Sequence, residues 1–293
     1  MASSGQLREL RQRKQSVEST KQITRAMEMI AASRIQRAMR RVDEARPYAE
    51  LIHEIIRGLM ASHEVSEHPL LSAHESIDTV AVFVITSDRG LAGAYNANVL
   101  ARTEELIGRE RDEDREIRLY VMGSKGVNYF RFQEMAMEET WTGFSERPEI
   151  EHAAQVADVL MRGYADGDLD RVWTVYTDFR SRMKQTAEAM QVLPVEQEEF
   201  EGGEELPAEF LYEPGPEEIL DRLIPSYVEA KVFAAMLESA ASEHAMRQRA
   251  MSQATENAEE VAEDLSREIN HARQSMITQE IAEISAGAEA LSG

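Results

Sequence analysis

Apolar residues spaced alternately three and four apart run through the first sixty positions of this chain. One register reads Leu10, Val17, Thr24, Ala31, Ala38, Ala45, Ile52, Leu59; its companion reads Leu7, Lys14, Lys21, Glu28, Ile35, Val42, Ala49, Ile56. The first is apolar except for Thr24, and charge interrupts the second in its first half. This is the heptad signature of a coiled-coil seam, with alanines in its middle that let a partner helix approach closely. The C-terminal third repeats the pattern at Met251, Ala254, Ala258, Val261, Leu265, Ile269, Ala272 and Met276. At 1.5 Å per residue the N-terminal helix would extend about 80 Å and the C-terminal one on the order of 100 Å. Neither fits inside a compact domain, so the pattern predicts that the chain ends pair as a long antiparallel coiled coil. Pro47 marks a kink or boundary in the first helix. In "YEPGPEEIL", Pro216 and the acidic Glu217 and Glu218 form a helix start.

The middle has a different grammar. "TVAVFVIT" from Thr79 reads as a strand buried on both faces and "NANVLARTEELIGRE" as a helix. "IRLYVMG" is a second strand, "SKGVNYFRF" and "EIEHAAQVADVLMRGYADG" further helices, and "RVWTVYTDF" a third strand. Strands alternating with helices argue for a small α/β domain with a mainly parallel sheet. The expected division is a coiled-coil helix over 1–60, a Rossmann-like α/β domain over 77–195, an acidic linker or hairpin over 196–216 and a second coiled-coil helix over 217–288. The linker is argued from ten Glu and no Lys or Arg between Glu196 and Glu218, together with Gly202 and Gly203.

Charge is unevenly distributed. Residues 1–46 hold eleven Lys or Arg against five Asp or Glu, a balance of +6, so the rest of the chain carries −28 of the net −22. A basic end on an acidic body suggests an acidic partner for that end, nucleic acid or an acidic protein surface. No apolar run reaches the length of a membrane span, and "MASSGQLRELRQRKQ" lacks the apolar block of a secretory signal. With no cysteine, disulfides, thiolate metal sites and thiol catalysis are excluded. The chain reads as soluble and intracellular.

"QITRAMEMIAAS" is apolar on nearly every side, unlike a surface helix with one apolar stripe. "SDRGLAGAYN", Ser87 to Asn96, follows the first strand where phosphate-binding loops sit. It is neither G-x-G-x-x-G nor a P-loop, and Asp88 would set a negative charge beside a phosphate. A tight turn capped by Asp88 is the expectation, with "MGSKG" a packing turn. His63, His68 and His74 show no metal-ligand pattern and are expected at the surface. No pair of acids suggests acid/base catalysis. In "ARQSMITQEIAEI", Arg273, Gln274, Thr278 and Glu280 lie among Met276, Ile277, Ile281 and Ile284. Composition leaves open a helix with a wet face and a helix enclosed by a partner.

"KQITRAMEMIAASRIQRA", "SDRGLAGAYN", "EPGPEEIL" and "ASEHAMRQRAMSQATENA" followed by "ARQSMITQEIAEISAGAEAL" resemble, in that order, the gamma subunit family of F-type ATP synthases. The resemblance implies a central rotor shaft whose terminal helices turn inside a ring of alpha and beta subunits. The α/β domain would rest on the membrane c-ring, with an epsilon subunit as a further partner. It implies partner-contact or torque-transmitting roles for Met27, Arg247, Arg273, Gln274, Thr278 and Glu280, and a central motif at Ser87, Asp88, Arg89, Gly90 and Gly93. It also gives the basic flank a partner, the acidic lever loop of beta. It implies no catalytic residue, metal or cofactor in this chain, MgATP being held by alpha and beta. The location implied is the cytoplasmic face of a bacterial membrane, peripherally, with no nucleic acid and no membrane insertion. Two departures stand out: Ala92 and Ala94 replace the family's usual Cys and Gly, and the chloroplast redox insert is absent. Two rivals remain: an α/β nucleotide-binding protein using residues 87–96, which would bind nucleotide without its terminal helices, and a coiled-coil protein binding DNA or a scaffold through its basic helix, recognisable by salt-sensitive DNA binding.

Overall fold

The computed structural model describes residues 4–62, 68–200 and 215–292. Two helices dominate it: α1 (Ser4–Ser62) and, at the other end, α5 (Pro216–Ser292). Between them the order is β1 (Thr79–Ile85), α2 (Tyr95–Asp112), β2 (Glu116–Met122), α3 (Ser124–Phe132), β3 (Glu139–Trp141), α4 (Ile150–Ala165), β4 (Arg171–Phe179), β5 (Gln185–Leu193) and a short 3-10 turn at Gln197–Phe200. Two compact units result: residues up to Ala31 with those from Gln248 onward, and Ala32–Arg247. Of the expected acidic linker, 201–214 lie outside the described residues.

In the first unit the seam pairs antiparallel. Thr24 and Thr255 meet at 2.7 Å between hydroxyls, and Lys21 Nζ reaches Glu259 at 2.6 Å, so rising numbers in α1 meet falling numbers in α5. Every heptad position of α1 from Leu7 to Leu59 is buried or half-buried, including the charged Lys14, Lys21 and Glu28. Long Lys and Glu stems cover apolar surface while their charged ends stay wet, which is why charge does not break the seam. On α5, Met251, Ala258, Leu265 and Ala272 are buried; Val261 departs from the pattern, 41% exposed. Neither proline ends its helix: α1 continues through Pro47 and α5 through Pro225. Each proline removes one helical hydrogen bond; beside Pro225, Ile224 and Val228 are buried and anchor the helix in the core.

The second unit holds a five-stranded sheet ordered β3-β2-β1-β4-β5, parallel except for β4 with β5. The sequence reading anticipated three of these strands. It missed β3, only three residues long, and β5, "QTAEAMQVL", whose Ala, Gln and Glu lack β-branched character. Pairing with β4 across the turn at Ser181–Lys184 overrides that weak propensity. β1 is buried on both faces, as a central parallel strand must be. Val80, Val82 and Val84 join α2 and α3 in one core; Ala81, Phe83 and Ile85 join α4 and the sheet-side parts of α1 and α5 in the other. Period-2 alternation thus assigns the two layers residue by residue.

Candidate functional site

In this sheet order the chain steps outward from β1 to β2 and β3, then returns to place β4 on the opposite side of β1. The carboxyl end of β1 is therefore the switch point where doubly wound sheets open a crevice for ligands, and the loop with Ser87, Asp88, Arg89, Gly90 and Gly93 lies there. Ser87 is buried; its N–H donates to Asn96 Oδ1 at 3.0 Å and its hydroxyl to the Arg89 carbonyl at 2.6 Å. Gly93 takes φ +57°, a left-handed conformation that favours glycine.

Asp88 does not cap its own turn. The N-cap of α2 is Ala94, with no side-chain cap. The Asp88 carboxylate instead reaches sideways, accepting from Ser124 N and Oγ at 3.0 Å each on Oδ1, and from Gly143 N at 2.8 Å and Ser145 N at 3.0 Å on Oδ2. It thereby caps α3 and ties down the loop between β3 and α4, a role that only the folded neighbours create. Burial works against its charge, yet the hydrogen bonds from Ser145, Gly143 and Ser124 outweigh that and hold its carboxyl below the ordinary Asp value. "MGSKG" is a packing turn: a Cβ on Gly123 would lie 2.2 Å from the Thr86 carbonyl oxygen, and Gly126 N donates to Thr86 Oγ1 at 2.9 Å.

Helix α5 closes the crevice. Ser239 Oγ accepts from Thr177 N at 3.2 Å and Ser242 Oγ donates to Thr177 O at 3.3 Å, fixing the helix over β4. One turn on, Arg247 is 6% exposed. Its guanidinium donates to the carbonyls of Gly90 at 3.3 Å and Arg89 at 3.4 Å, to Glu243 Oε1 at 2.5 Å and to Glu146 Oε1 at 3.1 Å. His244 Nδ1 accepts from Arg247 at 3.4 Å while its Nε2 donates to the Glu146 carbonyl at 3.2 Å. That division of roles needs the neutral ring, and burial lowers the His244 pKa to about 4. Burial pushes the Glu243 carboxyl up, against the attraction of Arg247. Glu146 also pairs with Arg34 and, at 3.7 Å, with Arg89. Glu146, Glu243, His244, Ser124 and Ser145 are the members of this cluster that sequence reasoning missed. Glu243 and His244 carried a signal, since Glu243 precedes Arg247 by one helical turn in "SEHAMR"; Ser124 and Ser145 carried none.

Beside this cluster, Arg34, Arg37, Arg40, Arg41 and Arg147 line a groove of about 550 Å³ with Glu44 and Glu146. Arg41 binds Glu149 at 2.8 Å, whereas Arg37 and Arg40 have no carboxylate partner among the described residues.

In the first unit, Met27 is half-buried, and Ile23, Met29 and Ile30 are 61%, 62% and 53% exposed. Arg273, Gln274, Thr278 and Glu280 are all exposed, as are Ile277, Ile281 and Ile284. At about 100° per residue these seven lie on an arc of roughly 160°, away from the seam residues Leu265 and Ala272.

The histidines depart from a plain surface reading. His68 Nδ1 accepts from Leu70 N at 3.1 Å, with burial lowering its pKa, and His74 hydrogen-bonds Asp170 at 2.8 Å while stacking on Tyr164. His63 lies outside the described residues. No group of three His, Asp or Glu suited to a metal ion occurs among the described residues.

A family model described as ATP synthase matches residues 6–291. Over 98% of this chain and 98% of its own length, the ATP synthase gamma chain of Frankia casuarinae is 49% identical. That of Mycolicibacterium smegmatis is 46% identical, also over 98% of each. Among solved structures, a chain of the Euglena gracilis mitochondrial ATP synthase rotor superposes with TM-score 0.66 at 16% identity, covering 94% of this chain and all of the other.

Proposed function

This chain belongs to the ATP synthase gamma chain family, and from that premise we propose that it is the central rotor shaft of an F-type ATP synthase. It turns inside a ring of alpha and beta subunits, coupling ion flow through a membrane c-ring to ATP synthesis, or ATP hydrolysis to ion pumping. The observation that carries the reading is the pair of apolar surfaces left open on the first unit: Ile23, Met29 and Ile30 on α1, and Ile277, Ile281 and Ile284 on α5. An apolar patch of this kind marks an interaction surface. A shaft exposes apolar residues because its bearing is another protein. Met27, Arg273, Gln274, Thr278 and Glu280 border those patches and are assigned to contact with the ring; Arg37 and Arg40 in the basic groove face an acidic loop of beta.

The chain itself carries no nucleotide chemistry in this reading; MgATP belongs to alpha and beta. Support comes from the switch-point crevice, where the Asp88 carboxylate takes the N–H donors of Ser124, Gly143 and Ser145, and Arg247 takes the carbonyls of Arg89 and Gly90. The loop 87–96 is thus a structural clamp between the α/β domain and α5, with Arg247 its bolt. No helix among the described residues is long and apolar enough to cross a membrane, in keeping with a peripheral place in a membrane-associated complex and contact with epsilon and the c-ring. The test is MgATP hydrolysis by purified alpha and beta subunits from the same organism, with and without this chain. An inert chain that joins them in a stable, hydrolysing complex is the expected result. Nucleotide binding by the chain alone, with no effect on the partners, would overturn it.

A further inference from the structure

Within the second unit, α1 and α5 leave a cavity of about 380 Å³, which Ile150 at the start of α4 also lines. Its cause is local: Ala45 and Ala49 of α1 and Ala230 and Ala234 of α5 all line it, and four methyl groups do not fill the space between two helices. The volume is within the range of small-ligand sites, and the walls are mainly apolar, with Phe233 among them.

Charge around the cavity is one-sided. Glu50, Glu229 and Glu238 line it against a single cation, Arg46. Behind the wall, Asp178 on β4 and Asp158 on α4 face Glu238 and Glu229, with Glu188 of β5 nearby. Of the neighbouring cations, Arg180 is committed to Asp178 and Glu188, and Arg162 to Asp158. The six carboxyls therefore outnumber the three guanidiniums. Burial and then Asp178 push the Glu238 carboxyl up to about 7, and burial and then Asp158 raise that of Glu229.

We infer that this cavity is a binding site for a small apolar monocation, a compact hydrocarbon body carrying one ammonium group. The body replaces the missing side-chain volume between the four alanines, and the ammonium sits against Glu238 and Glu229. The inference is independent of the rotor reading and is tested on the full chain alone.

Calorimetric titration with three probes sharing one rigid skeleton isolates the charge: adamantylammonium, adamantanol and adamantanecarboxylate. Adamantylammonium binds roughly tenfold tighter than the alcohol at pH 8, and the carboxylate binds least. Its affinity rises by up to about tenfold from pH 6 to pH 8 as Glu238 gives up its proton. Ala234→Leu, which narrows the cavity between the two helices, weakens binding of every probe by roughly threefold or more. Glu238→Gln weakens the ammonium roughly three- to tenfold at pH 8 and flattens the pH dependence. Equal binding of alcohol and ammonium, or wild-type binding by a folded Ala234→Leu, overturns the inference. If Ala234→Leu does not fold, Glu238→Gln decides: unchanged affinity and an unchanged pH profile overturn it equally.

Discussion

Arg247→Met removes the bolt of the clamp, and the structure sets the size of the consequence. Arg247 and Glu243 are 6% and 1% exposed, so the substitution strips a buried carboxyl of its cation and two carbonyls of their donors. Breaking a buried ion pair costs about 3–5 kcal/mol. Glu243 can escape part of that cost, because burial already pushes its carboxyl up to about 7 and it takes up a proton when Arg247 is lost. The expected loss at pH 7 is therefore about 3 kcal/mol, larger at pH 8 and smaller at pH 5. Adding Glu243→Leu removes the stranded carboxyl and restores packing, so the double variant recovers most of the loss, to within about 1–2 kcal/mol of wild type. Urea unfolding followed by tryptophan fluorescence reads this directly, since the two tryptophans, Trp141 and Trp173, both lie in the sheet. A single-variant loss below about 1 kcal/mol, or a double variant no better than the sum of the singles, would refute a clamp built on this pair.

Asp88→Asn leaves two of four donors facing an amide nitrogen and costs about 2 kcal/mol above pH 5, discounted for partial exposure. Because the native Asp88 pKa is lowered, its contribution is present above the unfolded value and disappears as pH falls through the folded one, so the two proteins converge in acid urea titrations. Gly123→Ala, with φ +96° and the Thr86 carbonyl in the way, loses about 2–4 kcal/mol in the same assay. Glu238 behaves oppositely to Asp88: its folded pKa, about 7, exceeds the unfolded value, so its stabilising share is complete below about pH 4.5 and is lost as pH rises towards 7. Glu238→Gln is accordingly more stable than wild type at pH 8, by about 2–3 kcal/mol, and equal to it near pH 4.5. Ile281→Glu, at a residue 61% exposed, changes unfolding free energy by less than about 0.5 kcal/mol yet lowers hydrolysis by the assembled complex; unchanged hydrolysis would count against the bearing surface.

How much of this was legible beforehand depended on the range of the interaction. The heptad seam, the doubly buried strand at Thr79 and the helix start at Pro216 depend on neighbours three, two or one residue away, so local spacing determined them. The apolar girdle at Ile23 to Ile30 was legible for the same reason: a helix fixes which residues share a face whatever surrounds it. The sequence by itself could not place β5, whose composition argues against a strand and whose hydrogen bonds come from β4. Nor could it show that Asp88 would leave its own turn to cap α3. Only the tertiary structure decided those, and it alone brought Arg247 to the carbonyls of residues more than a hundred and fifty positions earlier. A buried charge stays where the fold supplies its partners, and spacing along the chain carries no record of partners that folding brings from so far away.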